Sequence, residues 1–390
     1  MDDIVLEFKR DLPEYSSWRR ELHRNAQTAF EETFASGFVA EKLRSWGLEV
    51  HRGLAVTGVI GVLNGTCGEG PMIGLRTDMD ALNMEEQTGL LPYASRNAGR
   101  MHGCGHEGHV VMLLAAARYL ASARDFKGSV CFIFQPAEEG GGGAKRMIAE
   151  GLFEKFPCRK IYGMHNWPEL PVGKAGLRAG PVMANSDQFT LRIKGKGGHA
   201  AFPHLCADVV LCASHVVAAL QSLVARNIDP LDAGVVSVAH VEAGKTFNVM
   251  PESALLRGTA RSFRPEVREI LKEGIGRVAE NVCRAFGAGA EYEYEYGIDA
   301  TINDPAETAF CAGVLRDLLG KENVDTEISP VMGGEDFGSM LEKVPGCYVV
   351  LGSRDELHGE SLHSPRFDFN DAIIPLGAAY WVKLVKAALS

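Results

Sequence analysis

Three apolar segments of this chain, each of a length suited to one buried strand, end in side chains that bind metal ions well. The segments and the side chains that follow them are residues 71–76 with Asp78 and Asp80, residues 129–134 with Glu138 and Glu139, and residues 160–164 with His165. Open α/β sheets place their active groups just beyond the carboxyl ends of strands. A helix N-cap would explain one aspartate but not both, and a solvated acidic loop is the alternative for the glutamates. The threefold repetition favours an α/β fold with a polar site at one edge of the sheet.

The stretch from Met101 to His109 holds three histidines, one cysteine and one glutamate, separated by three glycines. Cys104 and His106 can both point at one ion if the glycines let the backbone curl. An apolar, alanine-rich run from Val110 to Ala121 follows and predicts a helix. A buried cysteine among solvated histidines is the alternative. The concentration of donors favours a transition-metal site, although a single motif is weak by itself.

The size and charge of the chain exclude several classes of protein. Its 390 residues are more than one domain with a single hydrophobic core usually contains, which suggests two domains. The formal net charge of −10 offers nothing to attract nucleic acid. The nine cysteines are scattered through apolar segments, which is typical of a reducing compartment. Because we find neither a signal peptide nor an apolar run of the roughly 18–20 residues that span a membrane, we expect a cytoplasmic protein without a membrane partner.

The pattern of predicted elements changes near Val182. Residues 183–297 follow the order β-α-β-β-α-β, which is the ferredoxin-like arrangement of a small α+β domain. We therefore predict one domain from residues 1–182 and 298–390, with a second domain, residues 183–297, inserted into it. Glutamate and tyrosine alternate strictly from Glu291 to Tyr296, which predicts an edge or interface strand with a structural role.

Eight short motifs, taken together and in order, resemble the M20 metallopeptidase family. The resemblance is closest to its amidohydrolase branch, which includes hippurate hydrolase, N-acyl-L-amino-acid amidohydrolases and auxin-conjugate hydrolases. The motifs begin at Arg76, His102, Gln135, His165, Gly198, Asn248, Gly333 and Leu362. The resemblance implies a zinc-peptidase-like catalytic domain with a mixed central sheet flanked by helices. It also implies that the inserted domain is a lid through which two subunits form a homodimer.

The resemblance further implies a centre for two divalent metal ions in each subunit. Cys104 would bridge the two ions as a thiolate, and the other ligands would be His106, Glu139, His165 and His363. Cysteine, histidine and carboxylate donors are compatible with Zn, Mn, Co or Ni.

Five further residues receive roles from the same resemblance. Glu138 would be the general base, and Asp78 would orient the ligands from behind them. His199 would hydrogen-bond the carbonyl oxygen of a substrate bound to the partner subunit. Asn248 and Arg261 would bind the carboxylate of the substrate.

The motifs also leave some positions without a role. Many relatives have aspartate at Glu107 and proline at Asn83, which puts the substrate preference in doubt more than the catalysis. Glu335 and Asp336 receive no role.

The expected activity is metal-dependent hydrolysis of an N-acyl amino acid to a carboxylic acid and a free amino acid. In such a reaction the metal ions activate a water molecule and polarise the amide carbonyl, while a general base takes the proton from the water. Two alternatives remain open at this stage. The chain could be a dipeptidase or carboxypeptidase on the same scaffold, or a metal-binding protein without activity.

Overall fold

The computed structural model describes residues 2–87 and 91–390, which form two compact units. The first unit runs to Val182 and resumes in residues 302–329 and 336–390; the second comprises residues 183–301 and 330–335. Residues 298–301 and 330–335, predicted for the first domain, belong to the second unit. The amide of Ala184 donates to the carbonyl oxygens of Val331 and Gly333, and this pairing holds the short segment there.

The helices and strands follow in chain order. The helices are α1 (Asp3–Arg10), α2 (Leu12–Arg24), α3 (Thr33–Ser45), α4 (His106–Ala123), α5 (Gly143–Ala149), α6 (Leu152–Lys155), α7 (Val209–Arg226), α8 (Pro265–Ala285), α9 (Pro305–Leu319), α10 (Phe337–Leu341) and α11 (Ile374–Ala388). The strands are β1 (Glu49–Leu54), β2 (Gly58–Asn64), β3 (Met72–Asp78), β4 (Ser129–Gln135), β5 (Cys158–Pro171), β6 (Ala175–Gly176), β7 (Gly180–Met183), β8 (Ser186–Lys194), β9 (Gly198–His199), β10 (Gly234–Ala243), β11 (Val249–Met250), β12 (Ser253–Ser262), β13 (Gly289–Ile298), β14 (Thr301–Asn303), β15 (Val324–Asp325) and β16 (Gly346–Arg354).

The first unit contains the predicted mixed sheet. Its eight strands lie in the order β1-β2-β4-β3-β5-β16-β6-β15, and the pairs β4-β3, β3-β5 and β5-β16 are parallel. Helices α4 and α11 pack against each other, and a Cβ added at Gly377 of α11 would lie 1.9 Å from the sulfur of Met112 in α4. This close approach keeps the two apolar helices in contact.

The register of the parallel strands brings the predicted polar strand ends to one level. Asp78 pairs with Gln135, and Arg76 pairs with Gly163, so that Asp78 and His165 lie two residues further along neighbouring strands. Strand β5 continues past Met164 to Pro171, further than predicted, because it goes on pairing with β16.

Helix α4 begins at His106, four residues before the predicted start at Val110. Gly105, immediately before it, has a φ of 91°, a left-handed conformation that glycine adopts without strain. Since the donor-rich stretch therefore enters the helix, His106 and His109 lie on one face, three residues apart.

A buried charged network joins helix α2 to the start of α4. The carboxylate of Glu107 lies 2.8 Å from Nδ1 of His23 and 3.9 Å from Nη1 of Arg19. Burial lowers the pKa of His23, but hydrogen bonds to Glu107 and Glu86 outweigh it and raise that pKa to about 9. The longer side chain of Glu107, noted above as a departure from many relatives, thus contacts a charged histidine on α2.

The second unit has the β-α-β-β-α-β order of the ferredoxin-like arrangement. Its main sheet has the order β10-β12-β8-β13, with every neighbouring pair antiparallel. Strand β13 lies at an edge, as its alternating sequence predicted. Tyr292 and Tyr294 pack against the apolar core of this unit, while the alternating Glu291, Glu293 and Glu295 are exposed.

Helix α7 bears on the expectation that no apolar run is long enough to span a membrane. Its 18 residues have a mean hydropathy of 1.6, so in length and composition it passes as a membrane span; it is the one such helix among residues 2–87 and 91–390. Serine, histidine and glutamine residues interrupt its apolar sequence, but they are too few to bring the mean hydropathy below that of a membrane span. One face of α7, including Cys212, Val216 and Leu220, lies in the core of the second unit.

A buried ion pair fixes the base of the second unit. Arg268 of α8 donates through Nε and Nη2 to both carboxylate oxygens of Asp187, at 2.7 and 2.6 Å, and through Nη1 to Asp299 at 2.8 Å. Asp187 is fully buried and also accepts from the hydroxyl of Tyr294 at 2.6 Å. Through these contacts, Arg268 of α8 joins Asp187 in β8 to Asp299 in the segment that follows β13.

We expect Arg268→Ala to lower the free energy of unfolding by about 3 kcal/mol, because it leaves a buried carboxylate without its cation. Arg284→Ala is the matched control on the same helix, since its pair with Glu280 is exposed. Exposed pairs of this kind contribute roughly 0.5 kcal/mol or less. Urea unfolding of both variants makes the comparison, and equal losses would contradict the assigned importance of the buried pair.

The charged state of His23 predicts a loss of stability at alkaline pH. Because its folded pKa of about 9 exceeds the ordinary value of 6.5, its stabilising effect is complete below about pH 6.5 and disappears as the pH rises through 9. The effect is on the order of 3 kcal/mol. Urea unfolding from pH 6 to 9.5 should show the wild type losing its advantage over His23→Asn. If the free energies of unfolding of the two proteins changed in parallel with pH, the claim that His23 is charged would be refuted.

Candidate metal centre

Cys104 belongs to two groups of potential metal ligands in the first unit. It forms one group with His106 and His165 and a second with Glu139 and His363, and within each group the donor atoms lie within 4.8 Å of one another. The Cys104 sulfur lies 3.4 Å from Nε2 of His165, and Nε2 of His363 lies 3.0 Å from Oε1 of Glu139. The structure thus brings together all five ligands expected from the sequence, with Cys104 common to both groups.

The five side chains come from four separate segments of the chain. Cys104 lies just before α4, His106 is the first residue of α4, His165 lies in β5, and Glu139 follows β4. His363 lies in a long loop after β16 and has a φ of 63°, which is unusual for a residue with a side chain. Its amide donates to the carbonyl oxygen of Gly103 at 2.8 Å, so the backbone of this distant loop is attached directly to the Cys104 segment.

The hydrogen bonding of His165 leaves one of its nitrogen lone pairs for an ion. Nδ1 of His165 lies 2.7 Å from the carbonyl oxygen of Asn166, which places the proton on Nδ1 and leaves Nε2 facing Cys104. Burial and the charge of His109 hold the pKa of His165 well below its usual range, so the ring is neutral. Within the described part of the chain, neither ring nitrogen of His106 has a hydrogen-bond partner.

The environment of Cys104 also suits a cation. Burial raises the pKa of its thiol well above the usual range, although the neighbouring His106 opposes the shift. A dication beside the sulfur would offset the cost of burying a thiolate. A neutral imidazole, a buried thiol and a carboxylate converging from several segments form a donor set that fits a transition-metal ion.

Asp78 lies in a layer behind these ligands. Its carboxylate accepts from Nη1 of Arg76 at 2.9 Å and lies 2.7 Å from Nδ1 of His109 and 3.9 Å from Nε2 of His106. Burial opposes its ionisation, but His106, His109 and Arg76 outweigh burial and hold the pKa of Asp78 well below its usual range. His109 also contacts Asn166, the residue after His165. No role was predicted for His109. The sequence signal that could have identified it is its spacing of three residues from His106, which places both rings on one face of a helix.

The turn that carries Glu138 and Glu139 is held by buried carboxylates from three remote segments. Its backbone amides donate to them within 3.0 Å: Ala137 to Glu32, Glu138 and Glu139 to Asp80, and Ala144 to Asp336. Within the turn, the amides of Gly140 and Gly143 donate to the carbonyl oxygens of Glu138 and Ala137. The other buried amides need acceptors from elsewhere. These carboxylates therefore determine where the two glutamates lie.

Asp336 connects this turn to the layer behind the ligands. One oxygen of its carboxylate accepts from Nη2 of Arg76 at 3.1 Å and from Gln135 at 2.7 Å, while its own amide donates to Oε1 of Glu138 at 3.4 Å. No local pattern could assign it, because Glu138 lies 198 positions away in the chain. Its neighbour Glu335, also unassigned above, belongs to the second unit, where its carbonyl oxygen accepts from Thr301.

The three remaining predicted residues lie in the second unit. Strands β9 and β11 pair so that Val249 faces His199, and the amide of Ala200 donates to the carbonyl oxygen of Asn248. This pairing places His199 and Asn248, both exposed, near each other. Arg261 lies in β12 and donates to the carbonyl oxygen of Met332 at 3.0 Å.

The chain is similar over most of its length to known amide hydrolases. It is 37% identical over 371 residues to the hippurate hydrolase of Campylobacter jejuni, with 95% of each chain covered. It is 41% identical over 384 residues to the IAA-amino acid hydrolase ILR1-like 2 of Arabidopsis thaliana, covering 96% of this chain and 86% of that protein. A solved structure from Bacillus subtilis, described as a dinuclear metal binding peptidase from the M20 family, superimposes with a TM-score of 0.85 at 32% identity, covering 98% of this chain and 99% of that one.

These similarities confirm the resemblance inferred from the motifs and identify a metal-dependent hydrolase of amide bonds. The family described as peptidase family M20/M25/M40 matches residues 74–387, which include all five ligands of the candidate centre. The chain therefore belongs to peptidase family M20/M25/M40.

Proposed function

We propose that this enzyme hydrolyses the amide bond of N-acyl amino acids, releasing a carboxylic acid and a free amino acid. The observation that carries the proposal is the pair of ligand groups sharing Cys104, with Glu138 close beside them. Glu138 also lies with His106 and Glu139 in a group whose donor atoms are within 4.8 Å of one another. The hippurate and IAA-amino acid hydrolases among the relatives support the substrate class.

Two divalent ions would occupy the two ligand groups, with the thiolate of Cys104 between them. His106 and His165 would hold one ion, and Glu139 and His363 the other. Bound there, such ions polarise the amide carbonyl and lower the pKa of water towards neutrality. Zn, Mn, Co and Ni all remain candidates, because cysteine, histidine and carboxylate donors accept each of them.

Glu138 is the proposed general base. Its side chain is buried, and one of its oxygens accepts from the amide of Asp336. In this role Glu138 takes a proton from the attacking water and delivers it to the leaving amine nitrogen. Asp78 fixes His106 and His109 from behind and takes no proton itself.

The second unit supplies the proposed substrate contacts. His199 would donate to the carbonyl oxygen of a substrate bound to the partner subunit, where stabilisation of developing negative charge contributes on the order of 10²–10³ in rate. Asn248 and Arg261 would bind the substrate carboxylate. All three residues have side chains suited to these tasks, and His199 and Asn248 are exposed on paired strands.

A homodimer through the second unit is part of the proposal. Helix α7 exposes Val210 and Leu211, each 47% accessible, and Leu205 just before it is 58% accessible. Strand β10 lies at an edge of the main sheet of this unit. Exposed apolar groups beside a free strand edge favour association with a second copy. We place the enzyme in the cytoplasm, a reducing compartment consistent with the nine free cysteines.

The substrate class is tested by assaying metal-depleted enzyme on hippurate, N-acetyl amino acids and indole-acetyl amino acids, before and after Mn²⁺ or Zn²⁺ is added. We expect metal-restored release of a free amino acid, and a decrease of kcat by at least about 10²-fold in Glu138→Gln with the metal content unchanged. Full activity of that variant would exclude Glu138 as the base.

Two further results distinguish the alternatives in the same assay. Cleavage of dipeptides or carboxy-terminal residues in preference to every N-acyl amino acid would replace the proposal with a peptidase. Absence of hydrolysis with both ions bound would reject the substrate class. Glu139→Gln is the matched control for Glu138→Gln, since it should lose metal as well as activity.

The dimer is tested by light scattering during gel filtration. Val210→Lys combined with Leu211→Lys should reduce the measured mass from twice 42.2 kDa to 42.2 kDa, because it places two charges in the proposed apolar contact. Glu273→Lys, which adds a lysine on an exposed position of α8, should leave the mass unchanged. A monomeric wild type, or a dimer unaffected by the double substitution, would refute this interface.

A further inference from the structure

Phe202 is an exposed aromatic residue for which neither the motifs nor the proposed mechanism provides a task. It lies three residues after His199, in the turn that follows β9, and it is 53% accessible. Single exposed apolar side chains are common on proteins and need no explanation by themselves. The surroundings of Phe202 distinguish it, because its backbone and its ring are both held beside His199.

The backbone of Phe202 is held at both of its polar groups. Its amide donates to the carbonyl oxygen of His199 at 2.8 Å. Its carbonyl oxygen accepts from the amide of Leu205 at 3.1 Å, and Pro203–Leu205 form a single turn of 3-10 helix. The thiol of Cys206 contacts the same oxygen at 3.7 Å. The chain itself therefore restricts where the ring of Phe202 lies relative to His199.

The ring of Phe202 contacts two imidazoles. Its centroid is 5.4 Å from that of His199, at an interplanar angle of 54°, and 6.4 Å from that of His204, at 85°. Aromatic rings attract each other at centroid distances of roughly 4.5–7 Å. Phe202 thus presents to solvent an aromatic surface that is already ordered, and binding to such a surface costs little further conformational entropy.

The amide of Ala201 fixes the tautomer of His199. It donates to Nδ1 at 3.1 Å, which places the proton of the neutral ring on Nε2. Nε2 is then the donor that the proposed function requires at the carbonyl oxygen of the substrate. The acyl group of that substrate is attached directly to the same carbonyl carbon, so it would lie within reach of a ring packed against His199.

The carbonyl of an N-acyl amino acid has the acyl group on one side and the amino acid on the other. The carboxylate of the amino acid would be bound by Asn248, whose carbonyl oxygen accepts from the amide of Ala200 where β9 and β11 pair. Phe202 lies beyond this pairing, in the turn by which the chain leaves β9. This arrangement favours the acyl group as the half of the substrate that contacts Phe202.

We infer that Phe202 is a specificity-determining residue that selects aromatic acyl groups, an inference that rests on the proposed function. Its ring packs against the aromatic ring of an acyl group whose carbonyl oxygen His199 receives. An acetyl group is too small to make this contact. The preferred substrates are therefore benzoyl or arylacetyl amino acids rather than N-acetyl amino acids.

Hippurate and N-acetylglycine isolate the acyl group, because both release glycine. Phe202→Ala should lower kcat/KM for hippurate about 10-fold relative to N-acetylglycine, since it removes the contacting ring. Phe202→Tyr, which retains the ring, should keep the wild-type preference. An equal change for both substrates in Phe202→Ala would overturn the inference, because lost support for His199 affects any substrate alike.

Phe247→Ala is the matched control. Phe247 belongs to the same unit and directly precedes Asn248, but it is 96% accessible and so packs against almost nothing. Its substitution should leave the ratio of kcat/KM for hippurate to that for N-acetylglycine at the wild-type value. If both substitutions lowered this ratio equally, any exposed aromatic residue would serve, and the inference would be overturned.

Two comparisons test whether the ring of Phe202 contacts something else. N-acetylphenylalanine and N-acetylglycine differ only in the amino acid, so a loss in Phe202→Ala confined to N-acetylphenylalanine would assign the ring to that half and overturn the inference. Light scattering gives the second comparison. A decrease of the mass of Phe202→Ala to 42.2 kDa from that of a dimeric wild type would assign the ring to the subunit contact and also overturn it.

The inference and the proposed function can fail separately. If the wild type hydrolyses none of the N-acyl amino acids, the proposed function fails by itself. Calorimetric titration of the Zn²⁺-loaded enzyme with hippurate then still measures the contact, and an affinity about 10-fold lower in Phe202→Ala would support it. Equal affinities, or no binding of hippurate to the wild type, would overturn the inference.

Discussion

The parallel alignment of β3, β4 and β5 is the constraint on which the rest of the catalytic unit depends. Because these strands run in the same direction and in register, the ends of β3 and β4 and the middle of β5 bring polar side chains to one level of the sheet. A concentration of buried charge like this is stable only if every group has a partner or an ion. Arg76, Asp78, Asp80 and Asp336 supply the partners, and the two ligand groups that share Cys104 would hold the ions.

Most of the fold follows from patterns within short stretches of sequence. Apolar runs of strand length, the alanine-rich helix α4 and the β-α-β-β-α-β order of the second unit are all local signals, and the structure confirms them. The boundaries were less predictable. The start of α4 depends on the left-handed Gly105, and the end of β5 depends on a partner strand almost 200 residues away.

The candidate site divides in the same way. Its five ligands could be proposed because metal chemistry restricts the residue types and because the motifs occur in a known order. Asp78 could be proposed from the same motifs, but the residues that hold the Glu138 turn could not. Asp80 and Asp336 accept from backbone amides of a turn distant in the chain, and the sequence does not show which acidic residue does so. Glu107 differs, because its departure from many relatives is visible in the sequence. Only the structure explains this residue, by showing its contacts with His23 and Arg19 on helix α2.

The two ligand groups differ in their access to water. His106 and His165 are buried, whereas the side chain of His363 is 54% accessible and belongs to a loop joined to the Cys104 segment through the amide of His363. An ion between His106 and His165 would be shielded from water by these buried side chains and would leave slowly. An ion between Glu139 and His363 would exchange more readily with the surrounding solution. The identity of the ion between His106 and His165 would then be fixed when it is first bound. The identity of the ion between Glu139 and His363 would follow the ions available in solution.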